Sequence, residues 1–144
     1  MKPWAILLPV ALLSSVAFAE QRHVKVEAVA DRTAVKPGDT FTVALNFTID
    51  PGWHIYWANP GETGTPPKAK WKLPAGVKIG DAPVPVPHRM DGAVTAFGYQ
   101  KAATLLYTVT VPAEAKSTVE LKANVSWVVC SDETCVSERQ TVAL

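Results

Sequence analysis

Hydrophobic and polar positions alternate with a period of two along much of this chain. In Phe41-Thr42-Val43-Ala44-Leu45-Asn46-Phe47-Thr48-Ile49 every odd position is apolar. The same rule holds in Leu105 to Val111, where Leu105, Tyr107, Val109 and Val111 line one side, and again from Val119 through Leu121, Ala123 and Val125 to Trp127. A period of two places successive side chains on opposite faces of a strand, so each run predicts a strand with one face buried. Val24 to Val29 and Gln140 to Leu144 are shorter candidates. Turn-forming groups punctuate the runs: Lys36-Pro37-Gly38-Asp39, Asp50-Pro51-Gly52, Asn59-Pro60-Gly61 and Leu73-Pro74-Ala75-Gly76. No stretch keeps a helical period between strong caps. Short strands separated by Pro/Gly turns predict an all-β, immunoglobulin-like β-sandwich.

Two departures from the alternation change the picture. Thr63 to Gly98 is rich in proline (Pro66, Pro67, Pro74, Pro83, Pro85, Pro87), which disfavours central strands and predicts edge or loop. It leads into Phe97-Gly98-Tyr99, two aromatic rings around a permissive backbone. The rings read either as core or as a lid. Val128 lies on the face that otherwise carries Glu120, Lys122, Asn124 and Ser126. It is either a docking surface or core covered by a neighbouring loop. Trp53, Ile55 and Trp57 share one face of a strand and read as core; His54 and Tyr56 share the other, as surface or as support for a cap. Pro60 and Gly61 read as a turn.

Composition sets the compartment. Met1-Lys2, the apolar Trp4 to Val16 and Ala17-Phe18-Ala19 form a secretory signal peptide with cleavage after Ala19. The apolar part is shorter than the roughly 20 residues a membrane span needs. Residues 20–144 then form one domain, expected in the periplasm. The signal peptide removes only Lys2 from the 14 basic residues, leaving thirteen against 13 acidic ones. That neutrality excludes nucleic acid and anionic membranes as expected partners.

The candidate chemistry sits at the chain's two cysteines, Cys130 and Cys135. Four residues between them cannot be bridged along a straight strand, but a four-residue hairpin loop, Ser131 to Thr134, brings them face to face. Opposed residues on antiparallel strands lie about 4.5–5.5 Å apart, within reach of a disulfide. So small a ring adds only roughly 2 kcal/mol of stability by loop closure. A reversible redox bond and a structural staple in an exported domain both fit that spacing. Asp132, Glu133 and Glu138 surround the pair in sequence, with only Arg139 to oppose them, and carboxylates disfavour a thiolate.

Taken together, Gly52-Trp53-His54-Ile55-Tyr56-Trp57-Ala58-Asn59-Pro60-Gly61-Glu62-Thr63-Gly64, Trp71 to Gly76, Phe97-Gly98-Tyr99, Val125 to Cys135 and Thr141 to Leu144 resemble the N-terminal periplasmic domain of DsbD, the transmembrane thiol:disulfide interchange protein. The tryptophan-rich block is more similar to the ScsB-like relatives, which are linked to copper tolerance. The resemblance implies a cysteine pair on a hairpin at one end of an immunoglobulin-like sandwich, with no cofactor. It implies a component of a protein-disulfide reductase system. Electrons would come from a thioredoxin-like or transmembrane donor and pass to disulfide isomerases or to thioredoxin-like proteins of cytochrome c maturation. It gives Cys135 the mixed disulfide, Cys130 the resolving role and Phe97, with Gly98 and Tyr99, the shielding cap. A monomer is expected. The four-residue spacing is one shorter than in some family members. The chain ends at the last strand, which reads as a stand-alone relative, with a separate transmembrane partner, or as a truncated gene product.

Rival readings are a structural β-sandwich with an inert disulfide and a copper-binding module using His88, Met90 and the cysteines, since Cu(I) favours sulfur. With three histidines and two methionines, one of them the initiator, no ligand-spaced cluster appears and no metal site is assigned. No nucleophile elbow or paired carboxylate motif points to a hydrolase.

Overall fold

The computed structural model describes residues 22–115 and 118–144, so the expected signal peptide and cleavage site lie outside the described residues. Ten strands run in order: β1 (Val24–Ala30), β2 (Thr40–Ile49), β3 (His54–Gly61), β4 (Lys68–Lys72), β5 (Lys78–Asp81), β6 (His88–Asp91), β7 (Thr95–Gln100), β8 (Ala102–Thr110), β9 (Lys122–Cys130) and β10 (Cys135–Ala143). They form two antiparallel sheets. One has the order β1-β2-β8-β5. The other runs β10-β9-β3-β7-β6, with β4 also paired to β9. No helix occurs among the described residues. This is the expected all-β, immunoglobulin-like sandwich.

The alternating runs supply its inner faces. Val24, Val26, Leu45, Phe47 and Ile49 of the first sheet pack with Ile55, Tyr99, Ala123, Val125, Trp127, Val129 and Val142 of the second. Phe47 meets Trp127 edge to face, with ring centroids 5.7 Å apart. Burial of each such large side chain contributes on the order of 1.5–3 kcal/mol. Trp53 and Trp57 lean against this core, as their parity with Ile55 predicts.

Side chains also join the sheets along the β1–β10 edge. Glu138, buried on β10, accepts the His23 N–H at 2.8 Å and the Val24 N–H at 3.2 Å, and takes a third bond from the Trp127 indole N–H at 3.2 Å. Gln140 accepts the Val26 N–H and donates to the Val26 carbonyl. Backbone groups that an edge strand would leave open are thereby paired. Glu138 is thus a strut facing the core opposite Trp127, and the expectation that it crowds the cysteine pair is corrected.

Two other expectations are also corrected. Asn59-Pro60-Gly61 is no turn between strands; it belongs to β3, where the register jumps from Tyr56↔Gly98 to Gly61↔Ala96. The chain bulges there because Pro60 lacks an N–H for the ladder and Gly61, at φ +91°, can take the left-handed conformation. The run from Val119 enters the sheet only at Lys122. Leu121 instead exchanges backbone bonds with Leu144. The proline-rich segment behaves as its composition dictates, yielding the short strands β4, β5 and β6.

Candidate functional site

β9 and β10 pair over nine residues, and their register places Cys135 directly opposite Cys130. The loop is Ser131 to Thr134. The Ser131 N–H donates to the Thr134 carbonyl at 2.8 Å, while Ser131 Oγ accepts the N–H groups of Glu133 and Thr134 at 3.3 and 3.2 Å. Serine's short hydroxyl thereby replaces a backbone acceptor at the tip. Ladder bonds alternate in an antiparallel pair, so the bond at Ser131/Thr134 makes the cysteines a non-hydrogen-bonded pair, the closer kind. Their Cα atoms are 4.0 Å apart and the sulfurs form a disulfide.

The two sulfurs lie in unlike surroundings. Cys130 is 2% exposed, whereas Cys135 is exposed. Val129 faces the core, so Cys130 faces the outer side of the sheet, where it packs with Tyr56 and Ala96 under partial cover from Met90 and Val128. Val128 is half-buried beside this cluster.

Tyr56 is the aromatic group that touches the disulfide. Its hydroxyl donates to Cys130 Sγ at 3.2 Å. Burial pushes the phenol's pKa up, which keeps the O–H a donor. His54, two residues earlier on the same face, has Nε2 3.4 Å from the Tyr56 oxygen. β3 also pairs His54 with Cys130 across the ladder. Burial lowers the His54 pKa from 6.5, and the nearby Asp132 carboxylate works in the opposite direction.

Two glycines make this arrangement possible. Gly64, at φ +106°, lies against the Tyr56 ring, and a Cβ there would overlap the ring carbons. Gly98 faces Tyr56 across β3 and β7, where a Cβ would strike the Ile55 carbonyl oxygen and come within 2.9 Å of Met90 Cε. The block from Trp53 to Gly64 thus has a physical role. Its strand presents His54 and Tyr56, its bulge carries the chain round, and Gly64 seats the ring.

Among the residues expected to form a cap, Tyr99 is 3% exposed in the main core and donates to the Pro85 carbonyl at 2.8 Å. Phe97 is half-buried beside Gly61, opposite Arg89 in the register. Phe97 belongs to none of the packed clusters among the described residues, that around Cys130 included. Sequence reading left Tyr56 and His54 between surface and cap support. The Tyr56–Cys130 bond spans 74 positions, and the two residues come to Cys130 only when β3 pairs with β9. Among the described residues no group of three or more His, Cys, Asp or Glu side chains is placed to hold a metal ion.

The fold and site define the class of the chain as an immunoglobulin-like sandwich bearing a disulfide across a hairpin tip, one sulfur covered and the other open. The family model described as thiol:disulfide interchange protein DsbD, N-terminal, matches residues 20–144, and the chain belongs to that family. Among solved structures, the N-terminal periplasmic domain of ScsB from Proteus mirabilis aligns with a TM-score of 0.65 at 23% identity, over 86% of this chain and 47% of that one. This chain therefore spans about half the length of that relative. The DsbD N-terminal domain of Neisseria meningitidis in its reduced form aligns with a TM-score of 0.42 at 13% identity, over 83% of this chain and 84% of that one. No curated protein matches the chain.

Proposed function

We propose that this domain relays electrons in the periplasm, receiving them from a reduced thioredoxin-like donor and passing them to oxidised thioredoxin-like or isomerase partners. The observation that carries the reading is the contrast between the buried Cys130 and the exposed Cys135. A donor thiolate can approach in line only at Cys135. Attack there breaks the Cys130–Cys135 bond and forms a donor–Cys135 disulfide. The electron pair of the broken bond goes to Cys130 Sγ, the leaving group, which the Tyr56 hydroxyl stabilises by its hydrogen bond. The donor's second thiolate then attacks the donor's own sulfur, leaving the donor oxidised and both cysteines here reduced.

Delivery runs the same steps backwards. The Cys135 thiolate opens the acceptor's disulfide, and Cys130 then attacks Cys135 to release the acceptor as a dithiol. Asp132 and Glu133 at the hairpin tip oppose thiolate formation, so the partner's reactive cysteine drives the exchange. In this proposal Tyr56 covers the inner sulfur and Gly98 admits the close strand approach that seats it.

Trapping tests the assignment. A Cys130→Ser variant lacks the resolving thiol and is expected to accumulate mixed disulfides through Cys135 on non-reducing gels, identifiable by mass spectrometry. Cys135→Ser, which leaves only the covered thiol, is expected to trap little. Adducts through Cys130 instead would reverse the two roles.

A further inference from the structure

Cys130 changes its protonation state in each cycle, yet it is 2% exposed and water has little access to it. A proton bound for this sulfur needs a path, and the structure contains one. The Tyr56 hydroxyl lies 3.2 Å from Cys130 Sγ, and His54 Nε2 lies 3.4 Å from the same hydroxyl. His54 is only half-buried, at the edge of the site. A phenol O–H can donate and accept at once, and an imidazole nitrogen can release or take up a proton near neutral pH.

We propose that His54 acts as a positioning residue that removes the Cys130 proton through the Tyr56 hydroxyl when the disulfide closes, and returns it when the disulfide opens. The inference rests on the exchange reading above, in which Cys130 resolves the mixed disulfide. In the closing step the Cys130 S–H proton passes to the Tyr56 oxygen while the Tyr56 proton passes to His54 Nε2. The Cys130 sulfur attacks Cys135 Sγ, the Cys135–partner bond breaks, and the partner leaves as a thiolate. His54, now an imidazolium, gives its proton to solvent. Opening reverses every transfer, and the direction of both hydrogen bonds reverses with it.

The groups facing His54 are consistent with this role. Tyr56 lies on its own strand, Cys130 on β9 and the neutral Gln100 on β7 lie opposite it, and Asp132 approaches from the hairpin loop. Burial outweighs the Asp132 charge, so His54 is neutral, and able to accept a proton, at neutral pH. A thiol of ordinary pKa, about 8.5, is only a few per cent ionised at pH 7, so a base within reach of it accelerates its attack.

The test uses the reduced domain mixed with 5,5′-dithiobis(2-nitrobenzoate) in a stopped-flow instrument from roughly pH 5 to 9. The first thionitrobenzoate released reports adduct formation at Cys135. The second reports attack by Cys130, a unimolecular step independent of reagent concentration. In the parent, this second rate is expected to climb with the deprotonation of His54, below pH 6.5, and then to level off. In His54→Gln, which keeps a polar group of similar reach but cannot titrate, the plateau is lost and the rate at pH 7 falls by about tenfold or more. Tyr56→Phe, which keeps the ring and removes the hydroxyl, is expected to match His54→Gln. An unchanged first phase in both variants shows that the fold and Cys135 are intact. A His54→Gln profile superimposed on the parent's overturns the proposal, and so does a Tyr56→Phe profile that keeps the plateau. If the parent itself releases a single equivalent, Cys130 does not resolve adducts and the exchange reading fails, taking this proposal with it.

Discussion

Gly64 offers the sharpest test of how the tryptophan-rich block serves the redox site. Replacing it by alanine has two separable costs. The first is backbone strain at φ +106°, a region side-chain-bearing residues rarely adopt, worth roughly 1–3 kcal/mol. The second is the overlap of the new methyl group with the Tyr56 ring; overpacking of this kind costs typically about 1–3 kcal/mol. Gly52 separates the two. It also has a positive φ, +81°, but a Cβ there meets nothing within 4 Å, so Gly52→Ala carries backbone strain alone. Urea unfolding of the oxidised proteins should therefore show Gly64→Ala less stable than Gly52→Ala by about 1–3 kcal/mol. The ring also has to move, which lengthens or breaks the bond from the Tyr56 hydroxyl to Cys130 Sγ. Gly64→Ala, and not Gly52→Ala, should then be reduced more slowly by dithiothreitol attacking Cys135, because the Cys130 thiolate leaves without the hydrogen bond that stabilises it. Equal stability and equal reduction rates in the two variants would refute the claim that Gly64 seats the ring.

Two further predictions concern the scaffold and pH. Glu138→Ala leaves the Trp127 indole and the His23 and Val24 N–H groups without their acceptor; with unsatisfied buried donors costing about 1–3 kcal/mol each, and not additively, a loss of roughly 3–4 kcal/mol is expected in urea unfolding. Glu138→Gln keeps one of the two acceptor oxygens and should fall between parent and alanine variant. The pH dependence of stability follows from His54: its pKa is lower in the folded than in the unfolded chain, so the unfolded state binds more protons as pH drops below 6.5. Stability is therefore full above 6.5 and declines as pH falls through the folded-state value, and urea midpoints of His54→Gln should lack that component of the decline.

The parts of the fold legible in the sequence are those where local pattern and tertiary environment agree. β2 and β8 each have one face on the core, so burial wrote itself into the alternation of Phe41 to Ile49 and Leu105 to Val111. The hairpin was equally legible, because its register follows from the loop alone. β4 to β6 were not, since strands of four or five residues in proline-rich chain are defined by their neighbours rather than by propensity. Asn59-Pro60-Gly61 has the residues of a turn, yet the same residues serve a bulge, and only the β7 pairing decides between them. Glu138 misled for a related reason. Three positions from Cys135 is close in sequence, but its face of the strand is the core's. Tyr56 and Gly64 carry no local mark of their role; a tyrosine at alternating parity and a glycine after a turn-like block become a site only when β3 is laid against β9.

The same structure explains how a sandwich can open and close a disulfide without losing its fold. The ladder from Cys130/Cys135 to Lys122/Ala143 holds the two cysteines in register by itself, and Ser131 and Thr134 clamp the tip beyond them. Breaking the bond frees a ring with only four intervening residues, worth roughly 2 kcal/mol in loop closure. That is small beside the burial of Phe47, Trp127, Ile55 and their neighbours, which does not depend on the sulfurs at all. A bridge joining distant strands would have coupled oxidation to folding. A bridge within one hairpin leaves the scaffold nearly indifferent to its redox state, so the reduced sulfurs stay opposed and ready to close again. In the proposed exchange this asymmetry sets direction: a partner would meet Cys135 at the surface, while Cys130 lies under Tyr56 at bonding distance from the same sulfur.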